Sequence, residues 1–339
     1  MELEKLEILL RNDKAYRIRQ AQKAVFSDAV DSWKAATTLR VKTRQMLEEK
    51  LPIVFDFETL KSLQGGALKA IIRLKDDITI ETVLMKHEKG RNTVCVSSQA
   101  GCPANCLFCS TARSGFKRNL TLYEIIEQVL FFKYYLKKSG QKINNIVFMG
   151  MGEPFFNYTN VIGAVHILND RDKFNIGSRK ISISTFGVPE MIEKLPDEKL
   201  QVNLAVSLNA PDNVLRNRMM PVNKKYPLEK LIPAVKNYIS RTKRRVMFEY
   251  VLISGLNERA EHAYRLASLL KGMLCFVNLI PFNGSGRLHA PEREKIREFR
   301  EILERNGVSV TQRFSFGADI NAACGQLVYR DLDNGSSEK

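Results

Sequence analysis

The chain has 339 residues, 44% hydrophobic and 27% charged, a globular composition in which no apolar run approaches the length of a membrane span. Its 53 Lys and Arg against 37 Asp and Glu leave a net charge of +16, so a polyanion such as RNA or DNA is the partner to expect, drawn by Coulomb attraction and counterion release. Met1-Glu2-Leu3-Glu4-Lys5 lacks the basic start and apolar stretch of a signal peptide, and six cysteines, three of them within eight positions, fit a metal site in a reducing compartment better than a disulfide framework; a cytoplasmic protein is expected.

Residues 1–50 combine strong helix formers and helically spaced apolar residues with no Gly or Pro, which predicts a small helical domain over 1–60. An alternating stretch from Ala67 to Lys86, broken at Asp76-Asp77 and bounded by Gly65-Gly66 and Gly90, predicts a β-hairpin extension over 61–90. From 91 to 330 strand and helix patterns alternate, as in an α/β domain with a parallel sheet and helical crossovers. Strands are expected near 92–98, 143–149, 180–185, 201–208, 245–253 and 275–281, with a shorter one at 308–313. Helices are expected at 121–138, 158–169, 227–241, 258–271 and 291–305. Six such units are fewer than the eight of a closed barrel. The polar residues 331–339 are expected to be disordered.

Two patterns run across these elements. Of the charged residues, 36 basic and 23 acidic lie beyond residue 90, densest from Arg113 to Arg118, at Arg216 and Arg218 with Lys224-Lys225, and from Arg241 to Arg245. A single such run is usually a solvated face, so the imbalance as a whole carries the expectation of a nucleic acid. Alternate strand positions are polar: Thr93, Cys95 and Ser97, then Ser182 and Ser184, then Asn203, Ser207 and Asn209, opposite faces of Val, Ile and Leu. A solidly packed barrel would be apolar on both faces, so these residues suggest a lumen holding water or a cofactor; a half-exposed sheet is the ordinary alternative.

The first expected strand leads into Cys102-Pro-Ala-Asn-Cys106-Leu-Phe-Cys109, at the carboxyl end of a strand, where parallel barrels put their active sites. Three thiolates on one short loop can hold three irons of a four-iron, four-sulfur cluster and leave the fourth open to a small molecule. A zinc site completed by a distant Cys or His is the alternative, although zinc loops usually bring ligands in closely spaced pairs. The second strand runs into Gly150-Met-Gly152-Glu153-Pro154, whose glycines admit a ligand to the backbone while Glu153 accepts hydrogen bonds from an ammonium group.

The cysteine loop and the glycine-glutamate turn together resemble the radical S-adenosylmethionine (SAM) superfamily, which implies a partial six-stranded (β/α) barrel over 91–330. Cys95-Val-Ser-Ser-Gln-Ala-Gly-Cys102, Phe148-Met-Gly-Met-Gly-Glu-Pro154, Asn278-Leu-Ile-Pro-Phe-Asn283 and Ala322-Ala-Cys324-Gly-Gln-Leu327 narrow the resemblance to the RNA adenine methyltransferases of that superfamily. It implies that Cys102, Cys106 and Cys109 hold one cluster, and that Gly152, Glu153, Ser184, Ser207, Asn209 and Asn283 contact SAM. Asn209 departs from the histidine usual there. It implies two SAM molecules per turnover: one methylates Cys324, the other yields a deoxyadenosyl radical that removes hydrogen from the methylated cysteine. The methylene radical adds to adenine, and Cys95 then attacks the Cys324 sulfur to release the product as a disulfide forms. Glu81 matches the family's proposed acceptor of the ring proton. The expected partners are 23S ribosomal RNA at the peptidyl transferase centre, transfer RNA and a reducing electron donor, with the N-terminal helices engaging RNA and the enzyme a monomer.

Gly152-Glu153-Pro154 and Phe248-Glu-Tyr-Val-Leu252 resemble the branch that modifies carbon 2, rather than the resistance enzymes that modify carbon 8. Against it, Arg313-Phe-Ser-Phe-Gly-Ala-Asp319 departs from that branch's pattern, and the segment from Asn283 to Pro291 is short for the family. Two further readings are a radical enzyme acting on a peptide or small metabolite, which leaves Cys95 and Cys324 without a purpose, and an RNA-binding protein with a structural metal. Cys275, in an apolar strand, reads as packing.

Overall fold

Helix and strand form where periodicity and β-branched runs direct them, in a computed structural model that describes residues 3–331 apart from 56, 64, 284–287, 313–315 and 329. Of the tail expected to be disordered over 331–339, Asp331 instead pairs as a strand with Ile78, while 332–339 and Arg313 to Ser315 of the departing run lie outside the described residues. The chain opens with helices α1 (Glu4–Leu9), α2 (Ala15–Gln22) and α3 (Val41–Lys50). Trp33, wholly buried between α2 and α3, donates its indole N–H to the Leu51 carbonyl at 2.6 Å.

Strands β1 (Phe57–Lys61), β2 (Ala67–Arg73) and β3 (Ile78–Lys86) form an antiparallel wing. The expected hairpin is β2–β3. Strand β1 joins it from residues just before the expected boundary at 60, and its largely exposed, weakly alternating side chains explain why no pattern announced it. Beyond the wing come β4 (Asn92–Cys95), β5 (Gln99–Gly101), α4 (Ser110–Arg113), β6 (Phe116–Asn119), α5 (Leu122–Lys137), β7 (Asn145–Phe148), α6 (Tyr158–Asn169), β8 (Ile181–Thr185), α7 (Pro189–Lys194) and β9 (Asn203–Ser207). The chain continues through α8 (Asn213–Met219), α9 (Leu228–Thr242), β10 (Val246–Leu252), α10 (Ala260–Leu270), β11 (Cys275–Pro281), α11 (Arg293–Arg305), β12 (Val310–Gln312) and β13 (Arg330–Asp331).

The main sheet runs β1-β2-β3-β4-β7-β8-β9-β10-β11-β12, with β13 antiparallel to β3. Six parallel strands, β4, β7, β8, β9, β10 and β11, are extended by the short β12. Among the described residues β4 pairs with β3 and β7 and does not pair with β12, so the barrel is partial. Its helices pack in neighbouring pairs, α5 with α6, α7 with α9 and α10 with α11. The N-terminal helices dock on α5, where Lys137 Nζ donates to the carbonyls of Asp28 at 2.8 Å and Ala29 at 2.9 Å. No helix among the described residues is long and apolar enough to cross a membrane.

Part of the basic excess is spent on pairs within the chain. Arg118 pairs with both Asp76 and Glu124 at 2.6 and 2.8 Å, and Arg241 with Asp197 at 2.5 Å. Arg216 is completely buried, so it belongs to no phosphate-binding surface.

Candidate active site

A cavity opens to solvent at the carboxyl ends of the parallel strands. Cys102, Cys106 and Cys109 line it, as do Gly152, Glu153, Ser184, Ser207, Asn209, Asn283, Cys95 and Cys324. Of the residues expected at the site, Glu81 alone is not among those lining it.

The cysteine loop is held by a hairpin that no sequence pattern had signalled. Strands β5 and β6 pair antiparallel on either side of it, and the Cys102 N–H donates to the Gly115 carbonyl at 2.8 Å. Gly101 has φ +78, and a Cβ there would lie 2.0 Å from the Gly115 oxygen, so only glycine closes this crossing. The Leu107 N–H reaches the Met219 carbonyl at 2.9 Å, fastening the loop to α8. Burial pushes the Cys102 thiol up to about 12 and the Cys106 thiol well above its ordinary value, with the neighbouring sulfurs of the loop adding to both shifts. A bound cation would reverse that preference, because it favours thiolate. Among the described residues no three His, Cys, Asp or Glu side chains converge on a single-ion site. The case for the loop therefore rests on its soft thiol donors and on the cavity they line, both of which suit an iron-sulfur cluster.

Buried polar residues weld this loop to the glycine-glutamate turn. Ser97 donates to the Glu81 carbonyl at 2.6 Å and accepts the Met151 N–H at 2.8 Å, and Gln128 brackets the Ser97 backbone with its amide. Gln99 Oε1 accepts the Glu153 N–H at 2.8 Å. Ser97, expected to face a lumen, is thus a scaffold residue. Glu153 accepts the Phe155 N–H at 2.9 Å and the Phe186 N–H at 2.8 Å, yet burial still raises its carboxyl to about 7. Gly152 has φ +94, and a Cβ there would stand 2.4 Å from Gln99 Cβ. Gly152→Ala should therefore expel Gln99, break its bond to Glu153 and cost about 2–4 kcal/mol, counting overpacking, strain at positive φ and one buried bond. Urea denaturation reads that loss; an unchanged midpoint would show that the turn tolerates the methyl.

The serines share a carboxylate that sequence reasoning passed over. Ser184 Oγ donates to Glu249 Oε2 at 2.5 Å and Ser207 Oγ to the same oxygen at 3.2 Å. Glu249 was visible only as part of the Phe248–Leu252 motif, and its inward position on β10 follows from alternation with buried Phe248 and Tyr250. Asn209 has φ +59, a conformation asparagine tolerates well, and its amide accepts the Val251 N–H at 2.9 Å while donating to Met220 Sδ at 3.3 Å. Its side chain therefore braces the strand ends as well as lining the cavity.

Cys95 ends β4, buried, with its carbonyl accepting Thr82 Oγ1 at 2.7 Å. Cys324 is exposed on a segment stitched to the cysteine loop: the Ser110 N–H donates to the Gly325 carbonyl at 2.7 Å and Thr111 Oγ1 to the Leu327 carbonyl at 2.6 Å. Gln326 accepts the Ala323 N–H at 3.0 Å and donates to the Asn283 carbonyl. Glu81 lies one layer back, ion-paired with Lys69 at 2.9 Å. Cys275 is half-buried against the core, as expected of a packing residue.

Residues 96–267 match the Radical SAM superfamily. A probable dual-specificity RNA methyltransferase RlmN from Carboxydothermus hydrogenoformans is 43% identical over 320 residues, covering 93% of this chain and 92% of the relative. One from Thermotoga neapolitana is 45% identical over 315 residues, with 92% and 91% covered. The crystal structure of a radical SAM methyltransferase from Sphaerobacter thermophilus superposes with a TM-score of 0.90 at 41% identity, covering 96% of this chain and 97% of that one. With its cysteine loop, glycine-glutamate turn and two further cysteines around one cavity, this chain belongs to the radical SAM superfamily and, within it, to the RlmN family of RNA methyltransferases.

Proposed function

We propose that the chain methylates carbon 2 of an adenine in 23S ribosomal RNA, at the peptidyl transferase centre, and of an adenine in transfer RNA, with Cys324 as methyl carrier. The observation that carries this reading is that Cys95 and Cys324, 229 positions apart, line the same cavity as the three-cysteine loop. The name shared by the relatives, dual-specificity RNA methyltransferase, and the net charge of +16 support an RNA substrate. Gly152-Glu153-Pro154 and Phe248 to Leu252 favour carbon 2 over carbon 8.

Cys102, Cys106 and Cys109 would hold three irons of a four-iron, four-sulfur cluster; Gly152, Glu153, Ser184, Ser207, Asn209 and Asn283 would hold SAM. Bound there, the pair supplies a methyl group and, on reductive cleavage by an external donor, a deoxyadenosyl radical. Cys324, exposed on a largely buried segment whose backbone is fixed, carries the methyl carbon to the base. Glu81 would accept the ring proton, and the adduct's unpaired electron would pass to the cluster held by the cysteine loop, which leaves a closed-shell adduct. Cys95 then attacks the Cys324 sulfur: an S–S bond forms, and the S–C bond breaks with its electron pair on carbon, which takes up a proton and remains as methyl. Residues 1–60 engage the RNA, 61–90 form the hairpin extension, 91–330 are the catalytic barrel, and the enzyme acts as a monomer in the cytoplasm.

The test is an anaerobic assay of reconstituted protein with SAM, reductant and either RNA, followed by nucleoside mass spectrometry. 2-Methyladenosine in both RNAs is expected; predominantly 8-methyladenosine, or no methylated adenine, would overturn the reading.

Glu153 gives a pH signature. Its carboxyl, raised to about 7 by burial, must ionise to accept fully from the amino group of SAM, so SAM affinity should climb as pH rises through 7 and then level off. The sign for folding is opposite: the buried form keeps a proton that the unfolded chain loses near 4.5, so this group's contribution to stability falls between those values. Calorimetric titration of wild type and Glu153→Gln checks this; equal slopes in both would exclude Glu153 as the cause.

A further inference from the structure

The segment carrying Cys324 is fastened near both ends by one buried ion pair, of which the scheme above uses a single member. Lys69 on β2 and Glu81 on β3 are only 5% and 4% exposed, and the Lys69 ammonium stands 2.9 Å from Glu81 Oε1. The same ammonium reaches the Asn321 carbonyl at 3.5 Å, and Glu81 Oε2 accepts the Val328 N–H at 3.1 Å. Asn321 lies three residues before Cys324 and Val328 four after it. Pairing sets Lys69 opposite Val83 and Val83 opposite Cys95, so the ammonium and the Cys95 side chain share one face of the sheet.

Burying a lysine and a glutamate costs several kcal/mol per ion before their attraction is counted, so such a pair more often fixes an arrangement than adds stability. The arrangement it fixes here is the Cys324 segment. Besides the Gln326 bond to the Asn283 carbonyl, Ser110 and Thr111 hold that segment from the cluster side, and the Lys69–Glu81 pair holds it from the Cys95 side. A sulfur on an exposed side chain takes its position from its backbone, and these anchors together define one.

We propose that Lys69 is a positioning residue for Cys324: it aims the Glu81 carboxylate at the Val328 amide, holds the Asn321 carbonyl, and thereby fixes the carrier segment between the cysteine loop and Cys95. The inference rests on the reading of Cys324 as methyl carrier, and adds that Glu81 positions the carrier as well as accepting the ring proton.

Hydrogen exchange of residues 321–328 in the ligand-free full-length chain, read beside methylation by the reconstituted enzyme, tests it. Lys69→Met should speed exchange in 321–328 by about tenfold or more while β7 to β11 keep their protection, because only a local opening is made easier. Methylation kcat should fall by a similar factor with KM for SAM unchanged, and Lys69→Arg should recover part of both. Glu81→Gln leaves one acceptor for two donors, the Lys69 ammonium and the Val328 N–H, so exchange at 321–328 should speed there too and methylation should be lost. Should Lys69→Met fail to fold, Lys69→Met/Glu81→Leu removes both charges together, and exchange at 321–328 should be fast in a stable chain. Slow exchange at 321–328 in either Lys69→Met variant would overturn the proposal. Absence of methylation by wild type would sink the proposed function instead and leave the exchange result standing.

Discussion

Replacing Cys324 with alanine should leave a folded, cluster-loaded enzyme that no longer methylates RNA. Folding survives because the side chain is exposed and its neighbours are held through backbone groups: the Gly325 and Leu327 carbonyls, the Ala323 N–H and the Val328 N–H. A substitution at such a position stays within about 0.5 kcal/mol. Catalysis should not survive, because carbon 2 of adenine offers no lone pair for displacement on a sulfonium methyl and the proposed route runs through the Cys324 sulfur. The loss should exceed about a thousandfold, more than 4 kcal/mol in activation free energy, since the whole bond-forming route is removed rather than one hydrogen bond of it. Cys95→Ala should fail differently. With Cys324 present the bond to RNA still forms, but no thiolate attacks its sulfur, so protein joined to RNA should accumulate on a denaturing gel. Methylation surviving Cys324→Ala would remove the carrier from the mechanism, and absence of the joined species in Cys95→Ala would remove the exchange step.

Much of this site was legible because its chemistry depends on local spacing. The cysteine loop, the Gly-Glu turn and the strands before them are contiguous in sequence, and strands β7 to β11 read as strands because an apolar face alternates with the face that turns Ser184, Ser207 and Glu249 to the cavity. Side chains that act across the fold were not legible. Lys69 and Glu81 are 12 positions apart on neighbouring strands, and nothing in either strand's alternation marks them as partners. Arg216 counted toward a basic run although its guanidinium never meets solvent, because a run of charge looks the same whether it faces water or carbonyls. The β5–β6 hairpin escaped notice because its strands are three and four residues long and one lies within the motif before the cysteine loop. Ser97 and Gln99 belong to that same motif, and their partners, Met151 and Glu153, show that part of the motif joins two loops rather than touching a ligand.

Arg216→Met should be the most damaging substitution to the fold away from the cysteines. The guanidinium is fully buried and donates to the carbonyls of Phe186, Ser207, Leu208 and Tyr226 and to Asn223 Oδ1, the longest of these bonds being 3.4 Å. It therefore ties the ends of β8 and β9 to the turns after α8, all at the rim of the cavity. Burial lowers its proton affinity, to about 10, yet it stays charged at neutral pH. Methionine matches its length and relieves the cost of burying a charge, which argues for a mild effect. Against that, the Leu208 carbonyl keeps the Ala210 N–H but four other acceptors lose this donor in a dry interior, at about 1–3 kcal/mol for each left unsatisfied, so a net loss of about 3–5 kcal/mol is expected. The loss should reach the ligand site through Phe186, whose carbonyl is held by Arg216 and whose N–H is held by Glu153. Urea denaturation should show the midpoint falling in Arg216→Met and falling less in Arg216→Lys, which keeps a cation and up to three donors. SAM affinity should weaken in the same order. If Arg216→Met instead denatured with wild type, relief of the buried charge would outweigh the orphaned carbonyls, and the rim would owe its shape to backbone pairing alone.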